Sequence, residues 1–171
     1  MKKRGVSPLI ATVLLIAFTV ALGAVVMNWG RTYVEDTAAS VKEGADKERI
    51  CSQDVRISLE EFSSIKQICY GGASANGYLF MRLYNNGNKD IMSLSVVIYG
   101  AGNTQTNNSV NGTAFNVSKP MKLNLTYDYD AFGSVKKVKI IPEVKLSGVL
   151  KSCGGNSLDI DSAELMNCTN M

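Results

Sequence analysis

The four cysteines, at positions 51, 69, 153 and 168, are the residues of this 171-residue chain best suited to covalent chemistry. A structural zinc site would need closer spacing, such as Cys-x-x-Cys, and usually histidine. Histidine is absent. Its absence also removes the commonest general base and any Ser-His or Cys-His nucleophile pair. There is no Cys-x-x-Cys-His for covalent haem. No catalytic residue, metal ligand or cofactor is expected. In an exported domain, an even number of cysteines reads as two disulfides. Three connectivities are open. The local pairs Cys51–Cys69 and Cys153–Cys168 are preferred, because each brackets one end of the domain.

Two acidic stretches have the spacing of a metal loop. "DYDAFG" holds Asp128, Asp130 and Gly133, and "DIDSAE" holds Asp159, Asp161 and Glu164. Each resembles only the start of a calcium loop and lacks the full ligand set. Asp-rich turns are the better reading. Nothing in the sequence sets these carboxylates face to face as a glycosidase pair.

Asn-x-Ser/Thr acceptors for N-glycosylation stand at Asn107, Asn111, Asn116, Asn124 and Asn167. With 14 Asn, and 25 residues that are Ser or Thr, chance alone gives about two, so five is an excess. Three of them crowd into the polar, loop-like stretch "TNNSVNGTAFNVS". A merely Asn- and Thr-rich surface loop would look similar, but exposed acceptors on an exported chain favour glycans at some of these positions.

The elements that carry these residues begin with an apolar N-terminus. From Val6 to Trp29 there is no ionisable side chain, and 24 helical residues span roughly 36 Å against a bilayer core of about 30 Å. Ser7-Pro8 is a good helix start. Trp29 and Arg31 suit the far interface, and Lys2, Lys3 and Arg4 mark the near side as cytoplasmic. The C-terminal part would then lie outside. The chain has 18 basic and 15 acidic side chains. Without the three leading basic residues the balance is 15 against 15, so no basic face remains for nucleic acid. The apolar run is too long for a cleavable secretory signal. A permanent anchor fits its length and charge.

The order of parts points further. The segment "KKRGVSPLIATVLLIAFTVALGAVV" resembles the N-terminus of archaeal type IV pilin precursors: a short basic leader ending in a small residue, then a Ser-Pro helix start and an apolar helix. "VSPLIATVLLIA" is closer to the pilin signature than to that of archaellins, the related motility-filament subunits. The resemblance covers about the first 30 residues. It implies a membrane prepilin peptidase cutting between Gly5 and Val6, with Arg4 as the last leader charge. It also implies a homo-oligomeric helical filament at the cell surface, built by an assembly ATPase and a membrane platform protein, serving surface adhesion. Glycosylation is common in such subunits. Bacterial pilins usually carry a Glu early in the helix, and here no acidic residue precedes Glu35. Ala17, Ala21 and Ala24 fall at i, i+4 and i+7, a small-residue stripe that lets filament-core helices approach closely. Alanine is also simply frequent in membrane helices. A permanently anchored extracellular binding module and an archaellin-like motility subunit are the alternatives.

Helical periodicity continues past Trp29, with Tyr33 or Val34, Thr37 or Ala38, Val41 and Ala45 on one side. Gly44 weakens the case for helix as far as Arg49. From Cys51 the period becomes two. "VRISLEEF" alternates Val55, Ile57 and Leu59. Met92, Leu94, Val96 and Ile98 share a face, as do Met121, Leu123, Leu125, Tyr127 and Tyr129. Asn86-Gly87 has the chemistry of a hairpin turn, and Pro142 suggests an edge strand or a bend. The expected class is α+β. It comprises a leader at 1–5, a long helix at 6–48, and an antiparallel β-sandwich head at 49–171 with seven or eight short strands, of immunoglobulin type.

Overall fold

The computed structural model describes residues 8–110 and 114–170. The chain divides into two compact units between Ala45 and Asp46. Helix α1 runs Pro8–Arg49, 42 residues or roughly 63 Å of rise. It starts on Pro8, whose missing N–H the first helical turn does not need. Gly44 does not interrupt it. A π-helical turn, Ile50–Asp54, follows and buries Cys51 before Val55 becomes extended.

The strands are β1 (Ile57–Leu59), β2 (Glu61–Phe62), β3 (Ile65–Lys66), β4 (Ile68–Gly71), β5 (Gly77–Asn85), β6 (Ser93–Gly100), β7 (Thr104–Val110) and β8 (Pro120–Tyr127). A single helical turn α2 (Tyr129–Phe132) precedes β9 (Val135–Leu146), β10 (Val149–Ser152), β11 (Leu158–Asp161) and β12 (Met166–Asn167). In sheet one, β5 pairs with β8 along one flank and with β4 and β1 in tandem along the other, and β12 joins β4. In sheet two, β9 pairs with β6 on one flank and with β10 and β11 in tandem on the other, and β7 joins β6. β2 and β3 form a separate hairpin. Apart from the parallel β12–β4 pair, the strands are antiparallel. One long apolar helix followed by mostly antiparallel strands is an α+β class.

The period-two reading places the core correctly. Ile57, Leu59, Leu123, Leu125 and Tyr127 of sheet one are buried in the same cluster as Leu94, Val96, Ile98, Val138, Ile140 and Ile160 of sheet two. Met92 is the exception on its face, at 37% exposed. It precedes β6 and bonds to Glu143 O through its backbone.

Three expectations are overturned. The Asn86-Gly87 stretch is not a hairpin, because β5 and β6 lie in different sheets. It is a crossover, organised by the fully buried Asn85. The Asn85 side chain donates to Lys89 O (3.0 Å) and Phe115 O (2.9 Å) and accepts from Gly87 N (3.1 Å). Its backbone bonds to Ser118 and Lys119. Gly87 lies so close to the Asp54 carbonyl that a Cβ there would collide with it. Pro142 does not mark an edge, since β9 is paired on both flanks. Pro142 O accepts from Cys153 N, so this residue faces the flank where β11 has ended and β10 has not begun. Its missing N–H falls in that gap and forfeits no ladder bond.

The third correction is the cysteine pairing. Cys51 bonds to Cys153 and Cys69 to Cys168, with Cα separations of 5.2 and 4.9 Å. Local pairing fails because the sheets bring distant segments together. Met166 of β12 sits beside Cys69 in register, and Asn156 Nδ2 donates to Val55 O near Cys51. The two loops interleave, each closing about a hundred residues, so each bridge stabilises by about 2–5 kcal/mol.

Non-reducing peptide mapping should recover Cys51 linked to Cys153 and Cys69 linked to Cys168; a Cys51–Cys69 peptide would contradict the fold. Asn85→Ala should cost at least about 2 kcal/mol in denaturant unfolding, because buried backbone groups lose their partners at about 1–3 kcal/mol each. Asn86→Ala, at an exposed neighbour, should stay within about 0.5 kcal/mol.

Candidate functional site

None of the described residues of α1 is buried. In its first half the large apolar side chains range from 48% exposed at Leu22 to 78% at Met27. Leu9, Ile10, Val13, Leu14, Phe18, Val20, Val25 and Val26 put apolar surface on every side. Such a helix is stable inside lipid or within a bundle of other helices. Its polar groups already suit that setting. Thr12 Oγ1 donates to Leu9 O and Thr19 Oγ1 to Ile16 O, both at 2.9 Å, so neither hydroxyl is left unpaired away from water. Helix α1 is long and apolar enough to cross a membrane by length and composition. It can serve as an anchor or a signal.

Ala17, Ala21 and Ala24 are exposed along α1, and helical geometry sets them on one stripe. Further along, Trp29 stacks on Tyr33 with ring centroids 5.7 Å apart. Arg31 Nε pairs with Glu35 Oε1 at 2.8 Å, one turn on. Tyr33, Val34, Thr37, Ala38, Val41 and Ala45 then line a shallow apolar groove, as the periodicity suggests. Arg4, Gly5 and Val6, where processing is expected, lie outside the described residues.

The acidic stretches are occupied by structural contacts. Asp128 caps α2, its Oδ1 accepting from Asp130 N (2.9 Å) and Ala131 N (3.0 Å). Glu164 pairs with Lys66 across the head. Asp159 Oδ2 meets Lys137 Nζ at 2.9 Å and its Oδ1 meets Lys139 Nζ at 3.8 Å, fastening β11 to β9. The hydrogen bond from Lys137 holds the Asp159 carboxyl below the usual carboxylate value, against the opposing effect of burial. The same contact raises Lys137. The sequence carried a signal for this site, since Lys137 and Lys139 are two apart on a strand and share a face.

The glycan acceptors separate by environment. Asn107 is half-buried on β7, with Gln105 Nε2 3.4 Å from its Oδ1. Asn116 is exposed in a turn, and Asn124 is exposed on β8. Asn167 is exposed, and its Oδ1 accepts from both Thr169 N and Thr169 Oγ1. Asn111 lies outside the described residues. A cavity of about 180 Å³ lies among Tyr70, Tyr129, Ser134, Val135, Ser162 and Leu165. The buried Tyr129 hydroxyl has no hydrogen-bond partner, and burial pushes its pKa up. No carboxylate, amine or thiol lines this cavity, so it offers no acid–base pair.

No protein-family model, curated protein or solved structure matches this chain.

A carboxylate whose folded pKa lies below its unfolded one adds stability above the unfolded value and loses it as pH falls through the folded value. Asp159 is such a group, so its contribution to the head's stability should be lost as pH falls through and below the ordinary carboxylate range. Asp159→Asn should flatten that slope when the denaturant midpoint is followed against pH. The effect should be small, because both partners are partly in water.

Proposed function

We propose that this chain is the precursor of an extracellular filament subunit of the archaeal type IV pilin class. Peptidase cleavage after Gly5 frees Val6, and copies then assemble through α1. The observation that carries this reading is the helix. Its first half is apolar on all sides and none of its described residues is buried, while the head has closed its own core. A helix of this length with apolar side chains on every side calls for an apolar environment. Lipid meets the need before assembly, and neighbouring helices meet it afterwards.

The energetics suit two stages. Burial from water is worth about 25 cal/mol per Å² of apolar surface. Transfer from lipid to a helix bundle exchanges one apolar setting for another, so an assembly ATPase and a membrane platform protein must do the extraction. Disulfides fit a head that lies outside the cell. We read the head as a sandwich of immunoglobulin type. In support, β5 and β6 are consecutive but lie in different sheets, and so are β8 and β9, while β5 pairs with β8 and β6 with β9. That interlocking is characteristic of Greek-key sandwiches. The role is structural, in surface adhesion.

The mature protein should begin at Val6 in intact-mass and N-terminal peptide measurements. Retention of Met1 to Gly5 in the surface-exposed form would instead support a permanently anchored binding module. Gly5→Phe should leave an uncleaved precursor in the membrane fraction and abolish filaments in negative-stain images. Normal filaments from that variant would refute the processing site.

A further inference from the structure

The outer face of sheet one carries a row of partly covered aromatic side chains. On β5, Leu79, Met81 and Leu83 point into the core and are fully buried. Tyr78, Phe80, Arg82 and Tyr84 therefore stand on the opposite face, two residues apart. Tyr78 is 37% exposed, and Phe80 and Tyr84 are half-buried. The Tyr78 ring lies across Gly71, in the space a side chain would take there. Next along, Phe80 is flanked on the β4 side by Cys69, which is disulfide-bonded to Cys168.

On its other side, Phe80 stands directly opposite Asn124. Thr126, the hydroxyl residue of the same acceptor motif, stands opposite Tyr78. Asn124 and Thr126 are both exposed on β8, which pairs with no strand but β5 among the described residues; the Thr126 backbone carbonyl accepts from Gln105 Nε2 at 2.9 Å. Directly opposed side chains have Cβ atoms about 4.5–5.5 Å apart. A sugar on Asn124 Nδ2 thus starts within reach of the Phe80 ring. The face of an aromatic ring is electron-rich and attracts the polarised C–H groups on the flat side of a pyranose. Among the other described acceptors, Asn107 is half-buried, Asn116 lies in a turn off this ladder, and Asn167, exposed on β12, has its Oδ1 engaged by Thr169 N and Oγ1.

We propose that Asn124 is an N-glycosylation site whose first sugar packs on Phe80, so that the glycan completes the outer face of sheet one. The inference rests on the reading of the head as extracellular. The donor is a phosphate-activated oligosaccharide. In the transfer, the bond between Asn124 Nδ2 and the sugar C1 forms as the C1–O bond to phosphate breaks. The phosphate leaves with the electron pair, and one amide proton passes to the transferase's base.

The test is glycopeptide mass spectrometry and thermal melting of protein purified from its own cells. The peptide spanning Asn124 should carry the glycan, and Asn124→Gln and Thr126→Ala should both remove it. Phe80→Leu should lower the Tm of the glycosylated protein by about 2–4 °C more than it lowers that of Asn124→Gln. If Phe80→Leu does not accumulate, the wild-type glycan can be cut back enzymatically. Trimming to the first sugar should keep the Tm, and complete removal should lower it. An unmodified Asn124 overturns the proposal, as does an equal effect of Phe80→Leu in both backgrounds or a Tm indifferent to full removal. The N-terminal mass of the same sample separates this result from the filament reading. A chain starting at Val6 with bare Asn124 refutes only the glycan, and a glycosylated chain retaining Met1 refutes only the processing.

Discussion

A long helix satisfies its own backbone but not its side chains, and that imbalance governs this protein. Every carbonyl and N–H inside α1 has a partner one turn away, and even Thr12 and Thr19 turn their hydroxyls back to the helix. What remains is exposed apolar surface on all sides. Among the described residues, the core cluster of the head is built from Ile50 onward. The two units thus differ in kind: one exposes apolar side chains on all sides and the other encloses a core of its own.

A head that must fold without help from the helix needs closure from within. Its strands are short, and several pair over only two to four residues. Long-range fastenings make up the difference. The two disulfides join the start of the head to its C-terminal part, and Asn85 ties the crossover between sheets to the Phe115 carbonyl. Asp159 holds the edge strand β11 to its neighbour through Lys137 and Lys139.

The sequence revealed what is local. Apolar continuity marked the helix, and alternation at Ile57, Leu94 and Leu123 marked core-facing strands, because each signal repeats within a few residues. It misled wherever the outcome depended on partners far along the chain. Asn86-Gly87 has the composition of a tight turn, but the next strand belongs to the other sheet. Pro142 normally argues for an edge, yet a gap between β10 and β11 admits it at an interior position. The cysteines were paired by proximity in sequence, whereas β12 returns to β4 and brings Cys168 to Cys69. The acceptor at Asn124 could be read directly, but its aromatic neighbour could not, since the register of β5 against β8 is a property of the folded sheet.

The interleaved bridges also define how the head behaves under tension. A pull between the base of the helix and the C-terminus does not travel along the whole chain. It enters at Cys51, crosses to Cys153, and has only the stretch up to Cys168 left to straighten. Fully drawn out, that stretch yields roughly 50 Å, whereas an unbridged chain over the same span would pay out roughly 400 Å. The head is therefore nearly inextensible by covalent means, whatever happens to its sheets.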